Sequence, residues 1–263
     1  MITSLQNSKV KEIVRLRDRK HRQRTGQFVI DGRREVERAI DAQVALTAVF
    51  RCIRADADQS HTDLIARCDE RVEVIDVNDA VWRKICYGDR KDGILAVAKQ
   101  PDHGWNTLRQ LPDRALIIVL ERLEKPGNLG AVLRSVDGAG ADGVILADCV
   151  CDLYNPNTIR ASSGTLFSLP TVVSDEDATR EFLAKSGFTI YAAMVDGSRI
   201  YSQVDLTGRV AIVLGNEAHG LTKRWERNNI AGIRIPMLGI ADSLNVSNTA
   251  AILLYEARRQ RGT

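Results

Sequence analysis

Three segments of the sequence carry glycines, amides, a carboxylate and a guanidinium in an arrangement that suits ligand binding and catalysis. Each follows an apolar run that is typical of a buried strand. In open α/β sheets, ligands bind just outside the carboxyl ends of the strands, so the three segments are predicted to converge on one site. They are EKPGNLGAVLR at 124–134, VLGNEAHG at 213–220 and IPMLGIADSLNVS at 235–247.

The first segment is predicted to begin a helix near residue 129. Asn128 suits the N-cap, because its short amide can accept from the free N–H groups of the first turn. Helical spacing turns the apolar residues to one side and leaves Arg134 on another, above a small-residue surface. The alternative for Arg134 is an exposed pair with Asp137, which would stabilise little.

The sequence GAGADG at 138–143 has the glycine spacing of the dinucleotide-binding fingerprint, but it does not lie in the structural context that the fingerprint requires. That fingerprint needs its glycines between a strand and the following helix. Here the glycines follow a predicted helix and precede a predicted strand, where Gly140 is better explained as the residue that ends the helix. A nucleotide-dependent oxidoreductase is therefore disfavoured.

Cysteine and histidine spacing indicates neither a disulfide framework nor a zinc site. The four histidines are far apart in sequence, and no metal is expected. The five cysteines include no C-x-x-C pair and stand at Cys52, Cys68, Cys86, Cys149 and Cys151.

The second half of the chain is predicted to be a mostly parallel sheet covered by helices, since buried strands alternate with helical segments. Strands are predicted at 115–120, 143–147, 188–194, 210–214 and 233–237, and helices near 129–139, 175–185 and 244–260. The first half is predicted to be a smaller α/β unit at 1–99. The segment 100–114 contains Pro101, Gly104 and Pro112, breaks the periodicity and is predicted to be a linker.

Positive charge is concentrated at the start of a chain whose formal net charge is only +3. Residues 1–54 hold 13 Lys and Arg against 6 Asp and Glu. Such a patch favours a polyanion partner such as RNA, although most charge runs are solvated helix faces. The candidate RNA-binding residues, on a predicted amphipathic first helix, are Lys9, Lys11, Arg15, Arg19, Arg22 and Arg24.

The opening residues lack the apolar stretch of a secretory signal, and no apolar run approaches the roughly 20 residues needed to span a bilayer. A cytoplasmic protein is expected.

Together the three segments resemble the three motifs of the SpoU (TrmH) family of RNA ribose 2′-O-methyltransferases, in the SPOUT superfamily. The residues and the order of the segments match those motifs in EKPGNLGAVLRS, VLGNEAHGL and IPMLGIADSLNVSNTAA. The N-terminal half, opening QNSKVKEIVRLRDRKHRQRTGQFVIDGRREVERAI, is similar to the substrate-binding domain of rRNA-modifying members. The resemblance implies an RNA substrate-binding domain at 1–99 and a SPOUT methyltransferase domain at 115–263.

The resemblance also implies helices on both faces of the sheet, a C-terminal deep trefoil knot and a homodimer. The apolar residues of the last helix suggest that it lies in the dimer interface. S-adenosylmethionine is the implied cofactor, held largely by backbone groups near Gly215, Ile235 and Leu244. The apolar helix residues are Ala250, Ala251, Leu253, Leu254 and Ala257.

For catalysis, the resemblance gives Arg134 the central role. A guanidinium with a pKa above roughly 12 releases its proton reluctantly, so gripping an RNA phosphate and stabilising the developing alkoxide is the expected role. Asn128 would orient Arg134 or the ribose, Glu217 would fix the arginine or its loop, and Ser243 and Asn245 would bond ribose or phosphate. Ser243 could instead cap the last helix. His219 is assigned no catalytic role.

Two functions remain after this reasoning. The first is S-adenosylmethionine-dependent methylation of a ribose 2′-hydroxyl, with rRNA favoured over tRNA. The second is a non-catalytic RNA-binding or ribosome-assembly factor on the same scaffold. The set Asn128, Arg134, Glu217, Ser243 and Asn245 favours the enzyme, because a binding protein would not need all five.

Overall fold

The computed structural model describes residues 1–53, 59–88, 92–226 and 229–262. The chain forms two compact units. The first contains Met1–Asp102 together with Asp152–Ser168, and the second contains His103–Cys151 and Leu169–Thr263. Within the described ranges, no helix is both long and apolar enough to cross a membrane.

The first unit is built on a four-stranded sheet with the order β1-β4-β2-β3, in which only β2 and β3 are parallel. Its strands are β1 (Gln27–Asp31), β2 (Leu46–Cys52), β3 (Glu73–Val77) and β4 (Ile94–Lys99). Its helices are α1 (Ser8–Arg15), α2 (Arg19–Thr25), α3 (Arg33–Asp41), α4 (Gln59–Ile65), α5 (Asp79–Ile85) and α7 (Pro156–Ala161).

The second unit is built on a seven-stranded parallel sheet with the order β7-β6-β5-β10-β8-β11-β9. Its strands are β5 (Leu116–Glu121), β6 (Gly143–Ala147), β7 (Thr171–Ser174), β8 (Thr189–Ala193), β9 (Arg199–Ile200), β10 (Val210–Leu214) and β11 (Ile230–Arg234). Its helices are α6 (Pro126–Gly138), α8 (Glu176–Lys185) and α9 (Val246–Arg261). The predicted mixed α/β architecture with a mostly parallel sheet is confirmed.

Burial explains why the central strands were recognisable in the sequence. Every residue of β5, β6 and β10 is buried, as expected for strands covered on both sides. Helix α6 ends at Gly138, and Gly140, the residue after the C-cap Ala139, has a φ of +58°, a conformation that glycine adopts without strain. Gly140 therefore stops the helix from continuing, as predicted, and does not belong to a dinucleotide fingerprint.

Strand β11 lies three residues earlier than the predicted strand at 233–237. Pro236 has no N–H to donate to a neighbouring strand, so the apolar run continues beyond the end of the sheet. Ile235 consequently belongs to a loop, where it can contact a ligand.

The predicted linker and domain boundary differ from the compact units. The predicted linker contains a short 3₁₀ turn, Trp105–Leu108, whose Leu108 is buried in the second unit. The segment 152–168, predicted to belong to the C-terminal domain, packs in the first unit. There the ring of Phe28 lies 4.1 Å from that of Tyr154 and 6.0 Å from that of Phe167.

The reason for placing the last helix in a dimer interface is wrong. The apolar side of α9 packs against α6 and β10 of its own chain, so that surface is already covered. The residues that are fully buried in this way are Ala250, Leu253, Leu254 and Ala257.

Candidate active site

A wide cleft of about 930 Å³ opens at the carboxyl ends of β8, β10 and β11. Its volume lies within the range of ligand sites, roughly 300–1,000 Å³. Its walls come from four segments that follow these strands or precede α9. They are 193–196, 214–221, 233–237 and 242–244, with Glu226, Val246, Thr249 and Leu253 also lining the cleft.

The three residues predicted to contact a cofactor all line this cleft. Gly215 follows β10, Ile235 follows β11, and Leu244 lies just before α9. Their part in binding stays a prediction, but the structure places them in one concave surface.

The loop after β10 is closed around Asn216, which is 7% exposed. The Asn216 side-chain oxygen accepts from the N–H groups of Ala218 at 2.7 Å and His219 at 3.3 Å. The backbone carbonyl of Asn216 accepts from Gly220 N–H at 2.9 Å. Its amide donates to the carbonyl of Arg122 at 3.0 Å. Sequence reasoning missed this residue, although an Asn beside a glycine at a strand end is a known turn former.

Gly215 is required by the closure of that loop. A Cβ added there would lie 2.5 Å from the carbonyl oxygen of Gly220 and 2.5 Å from the backbone nitrogen of Leu221. These are backbone atoms, so the loop could not accommodate a side chain without moving.

One chain of hydrogen bonds joins all three motif segments. The Asn128 amide donates to the Glu217 carboxylate, and the Asn245 amide donates to the Asn128 side-chain oxygen at 3.3 Å. Three of the five predicted catalytic residues are thereby brought together beside the cleft. The side chain of Asn128 is held from both sides.

The predicted N-cap role of Asn128 is wrong. Helix α6 begins three residues earlier than predicted, with Lys125 at the N-cap and Pro126 in the first turn, where a missing N–H costs nothing. Asn128 therefore lies inside the helix, and its side chain contacts Glu217 and Asn245 instead of its own backbone.

The N-cap of α9 is Asn245. It takes the capping role that the sequence offered as an alternative for Ser243. Its oxygen accepts from Ser247 N–H at 2.9 Å and from the Ser247 hydroxyl at 2.7 Å. Ser243 is exposed and lines the cleft, and it caps no helix.

Arg134 is not joined to this cluster. Its side chain is exposed on α6, and within the described residues it makes no hydrogen bond or ion pair, including the suggested pair with Asp137. The guanidinium is thus available to an external anion.

The predicted basic first helix consists of two short helices, α1 and α2. The six candidate RNA-binding residues on them differ in burial and in their partners. Arg22 is 1% exposed and binds Asp152, with 2.9 Å from its Nε to the carboxylate, and it also donates to two backbone carbonyls. It belongs to the interior and is withdrawn from the RNA-binding set. Lys9 pairs with Glu73. The other four are exposed: Lys11, Arg15, Arg19 and Arg24.

No three His, Cys, Asp or Glu side chains in the described part of the chain are grouped as metal ligands would be.

Comparison with known proteins matches both halves of the chain to families. Residues 115–255 match the SpoU rRNA Methylase family, and residues 7–96 match the MRM3-like substrate binding domain.

Three individual proteins illustrate the similarity. The chain is 26% identical to 23S rRNA (guanosine(2553)-2′-O)-methyltransferase RlmP of Bacillus subtilis, covering 98% of both chains. It is 30% identical to 23S rRNA (uridine(2479)-2′-O)-methyltransferase of Streptomyces viridochromogenes, covering 94% of this chain and 87% of that protein. The crystal structure of an AdoMet-bound rRNA methyltransferase from Sinorhizobium meliloti superposes with a TM-score of 0.91 at 29% identity, covering 100% of this chain and 98% of the other.

Proposed function

Because the chain belongs to the SpoU rRNA methylase family, we propose that its cleft binds S-adenosylmethionine beside the Asn128–Glu217–Asn245 cluster. The chain is an RNA (ribose-2′-O)-methyltransferase that uses S-adenosylmethionine as the methyl donor. The observation that carries the assignment of the site is the hydrogen-bonded chain linking all three motif segments at the rim of one cleft.

The residues of the cleft fit this donor. Apolar side chains of Leu214, Ile235 and Leu244 alternate with backbone groups of the loop 215–221. Such a surface can hold an adenosine by apolar contact and by main-chain hydrogen bonds. When bound, S-adenosylmethionine supplies an activated methyl group on a positively charged sulfur.

The protein must align the ribose and stabilise negative charge that develops on its 2′-oxygen. Arg134 is exposed and offers a planar fork of donors, so it grips a phosphate and faces the developing charge. Asn128, held by Glu217 and Asn245, orients the ribose. Asn245 caps α9 and donates to the Asn128 side chain, so its role is to position Asn128, and Ser243 is left to contact RNA.

The substrate we propose is rRNA. Two of the relatives act on 23S rRNA, one at a guanosine and one at a uridine. The group shared by those substrates is the ribose and not the base. Mapping 2′-O-methyl sites in total RNA from cells with and without the protein tests this proposal, and an unchanged rRNA map would contradict it.

A non-catalytic assembly factor is not favoured. It would need neither the donor cleft nor a hydrogen-bonded cluster at its rim. Measuring transfer of a labelled methyl group to rRNA by the purified protein separates the two functions directly.

The first unit, Met1–Asp102 together with Asp152–Ser168, contains the proposed RNA substrate-binding domain. The match of residues 7–96 to a substrate binding domain and the exposed cations of α1 and α2 support this. A polycation surface binds RNA with release of counterions, which makes affinity fall as salt is raised.

Changing Lys11, Arg15, Arg19 and Arg24 together to Gln is expected to weaken RNA binding broadly. The slope of log affinity against log salt should flatten by about 2 to 3 units, since each phosphate contact contributes about 0.7 for single strands. Turnover at saturating RNA should fall far less. A matched variant with the three arginines changed to Lys keeps the charges and should keep the slope. Parallel slopes for parent and Gln variant would exclude these residues from RNA contact.

We also propose the homodimer and the trefoil knot. In support of the knot, β10 lies between β5 and β8 although it follows both in sequence, and the chain then passes to β11 beyond β8 before α9 returns to α6. In support of the dimer, the loop 235–245 presents two almost fully exposed apolar side chains, Leu238 and Ile240. Such residues on one loop suit a surface that is covered by a partner.

Light scattering is expected to give about twice the single-chain mass of 29.1 kDa at micromolar concentration. The variant Leu238→Asp/Ile240→Asp should shift the mass toward the single chain, because it buries charge in the proposed interface. Val173→Asp, which changes an exposed valine on β7, is the control and should leave the mass unchanged. A single-chain mass for the parent across dilution would refute the dimer.

A further inference from the structure

A buried pair of carboxyl groups lies under the loop that forms one wall of the cleft. Glu121, the last residue of β5, is 1% exposed, and Glu176, the first residue of α8, is 2% exposed. Both contact Thr222, which directly follows the cleft-lining loop. Neither glutamate lines the cleft.

Thr222 is bound to Glu121 at two points. Its N–H donates to one oxygen of Glu121 at 2.9 Å, and its hydroxyl donates to the other at 2.8 Å. At the opposite end of the same loop, Asn216 donates to the carbonyl of Arg122, the residue after Glu121. The loop 215–222 is thus fastened at both ends to the carboxyl end of β5.

The hydroxyl of Thr222 lies within hydrogen-bond distance of both carboxyl groups, 2.8 Å from an oxygen of Glu121 and 3.1 Å from an oxygen of Glu176. The hydroxyl has only one hydrogen to donate, and the shorter contact is the one to Glu121. A proton on Glu176 would supply the hydrogen for the second contact. The other Glu176 oxygen is buried with no hydrogen-bond partner, which a neutral acid tolerates far better than a carboxylate.

We propose that Glu121 and Glu176 are positioning residues that share one proton across Thr222 and so hold the cleft loop in the shape that receives S-adenosylmethionine. The inference rests on the proposed use of the cleft for that donor. Glu121 accepts from Thr222, and neutral Glu176 completes the group from α8. Neither residue touches the reacting atoms.

The surrounding charges agree with this distribution. Burial is the main cause that raises the pKa of Glu176, and the charge of Glu121 and a hydrogen bond with its carboxyl group raise it further, while the contact with the Thr222 hydroxyl and the charge of Arg224 lower it. Arg224 is also paired with Asp177 on α8, and Asp175 caps that helix. The group of hydrogen bonds among Glu121, Thr222 and Glu176 is called the clasp. Because the pKa of Glu176 is raised, the clasp is complete at low pH and is lost as pH rises through that raised pKa.

The test compares two isosteric variants that should behave differently. Glu176→Gln retains a donor toward Thr222, so it should bind S-adenosylmethionine within about twofold of the parent, and its affinity should no longer fall as pH is raised from about 5 to about 9. Glu121→Gln removes one of two acceptors and the charge, so its dissociation constant should rise by about tenfold or more. Titration calorimetry at several pH values measures both affinities.

Thr222→Val removes the hydroxyl and should lose affinity for S-adenosylmethionine, whereas Thr222→Ser keeps the hydroxyl and should retain that affinity. Glu181→Gln, on the exposed side of α8, is the matched control.

Amide hydrogen exchange of residues 215–222 in the protein without donor measures the clasp itself. Faster exchange in Glu121→Gln but not in Glu176→Gln supports the proposal. Equal losses in both variants, or superimposable pH profiles for the parent and Glu176→Gln, overturn it. A folded parent that binds no S-adenosylmethionine would instead contradict the proposed function, even where the exchange pattern held.

Discussion

Replacing Arg134 by alanine is expected to lower the rate of methyl transfer by about 100- to 1,000-fold, the usual effect of removing a group that stabilises developing charge. Affinity for S-adenosylmethionine should stay within about twofold, because a fixed charge at the RNA side acts mainly in the transition state. Arg134 is exposed and lies outside the residues that line the cleft. A labelled-methyl transfer assay beside titration calorimetry measures both quantities.

Two further variants make this result specific. Arg134→Lys keeps the charge but loses the planar fork, so its activity should fall between those of the parent and Arg134→Ala. Arg109→Ala removes another exposed arginine of the same unit and should behave as the parent. If Arg134→Ala lost donor binding or kept near-normal turnover, the assignment would be wrong.

Substitution of Gly215 is expected to have the opposite signature, with donor binding lost first. In Gly215→Val the new Cβ would overlap the backbone of Gly220 and Leu221, so the loop must open. Forcing atoms into a closed space of this kind typically costs about 1–3 kcal/mol, and the distorted wall should weaken S-adenosylmethionine binding by at least about tenfold. The expected cause is thus collapse of the loop and not direct contact between the side chain and the donor.

The control for this variant is Gly208→Ala, because a Cβ at position 208 meets no atom within 4 Å. It should bind the donor and melt as the parent does. Gly215→Ala already introduces the clash and should share the defect of Gly215→Val. Normal donor affinity in Gly215→Ala would show that this loop is not a wall of the donor site.

The parts of the fold that were predictable are those where one physical requirement dominates. Strands β6 and β10 were located at their observed bounds because burial on both faces produces a continuous apolar run. The meeting of the three polar segments was predictable for a related reason, since each follows a strand of the same parallel sheet.

What was mispredicted depends on which of several partners a side chain takes. Asn128 can cap a helix or bond across to Glu217, and spacing alone does not distinguish these. Arg22 resembles its basic neighbours in sequence, yet its partner Asp152 lies 130 residues away. The pairing of Glu121 with Glu176 had no sequence signal, because it requires the path of β5, α8 and the loop after β10 together.

The return of segment 152–168 to the first unit has a consequence for how the protein is made. A ribosome completes residues 1–102 long before it reaches Asp152, so the nascent first unit begins with the guanidinium of Arg22 lacking its carboxylate and with Phe28 lacking Tyr154 and Phe167. Folding of the first unit can finish only after β5, α6 and β6 have been synthesised between its two portions. Neither unit is therefore one continuous stretch of chain: the first can be completed only after residue 168 has been synthesised, and the second only after its later strands and α9 have followed.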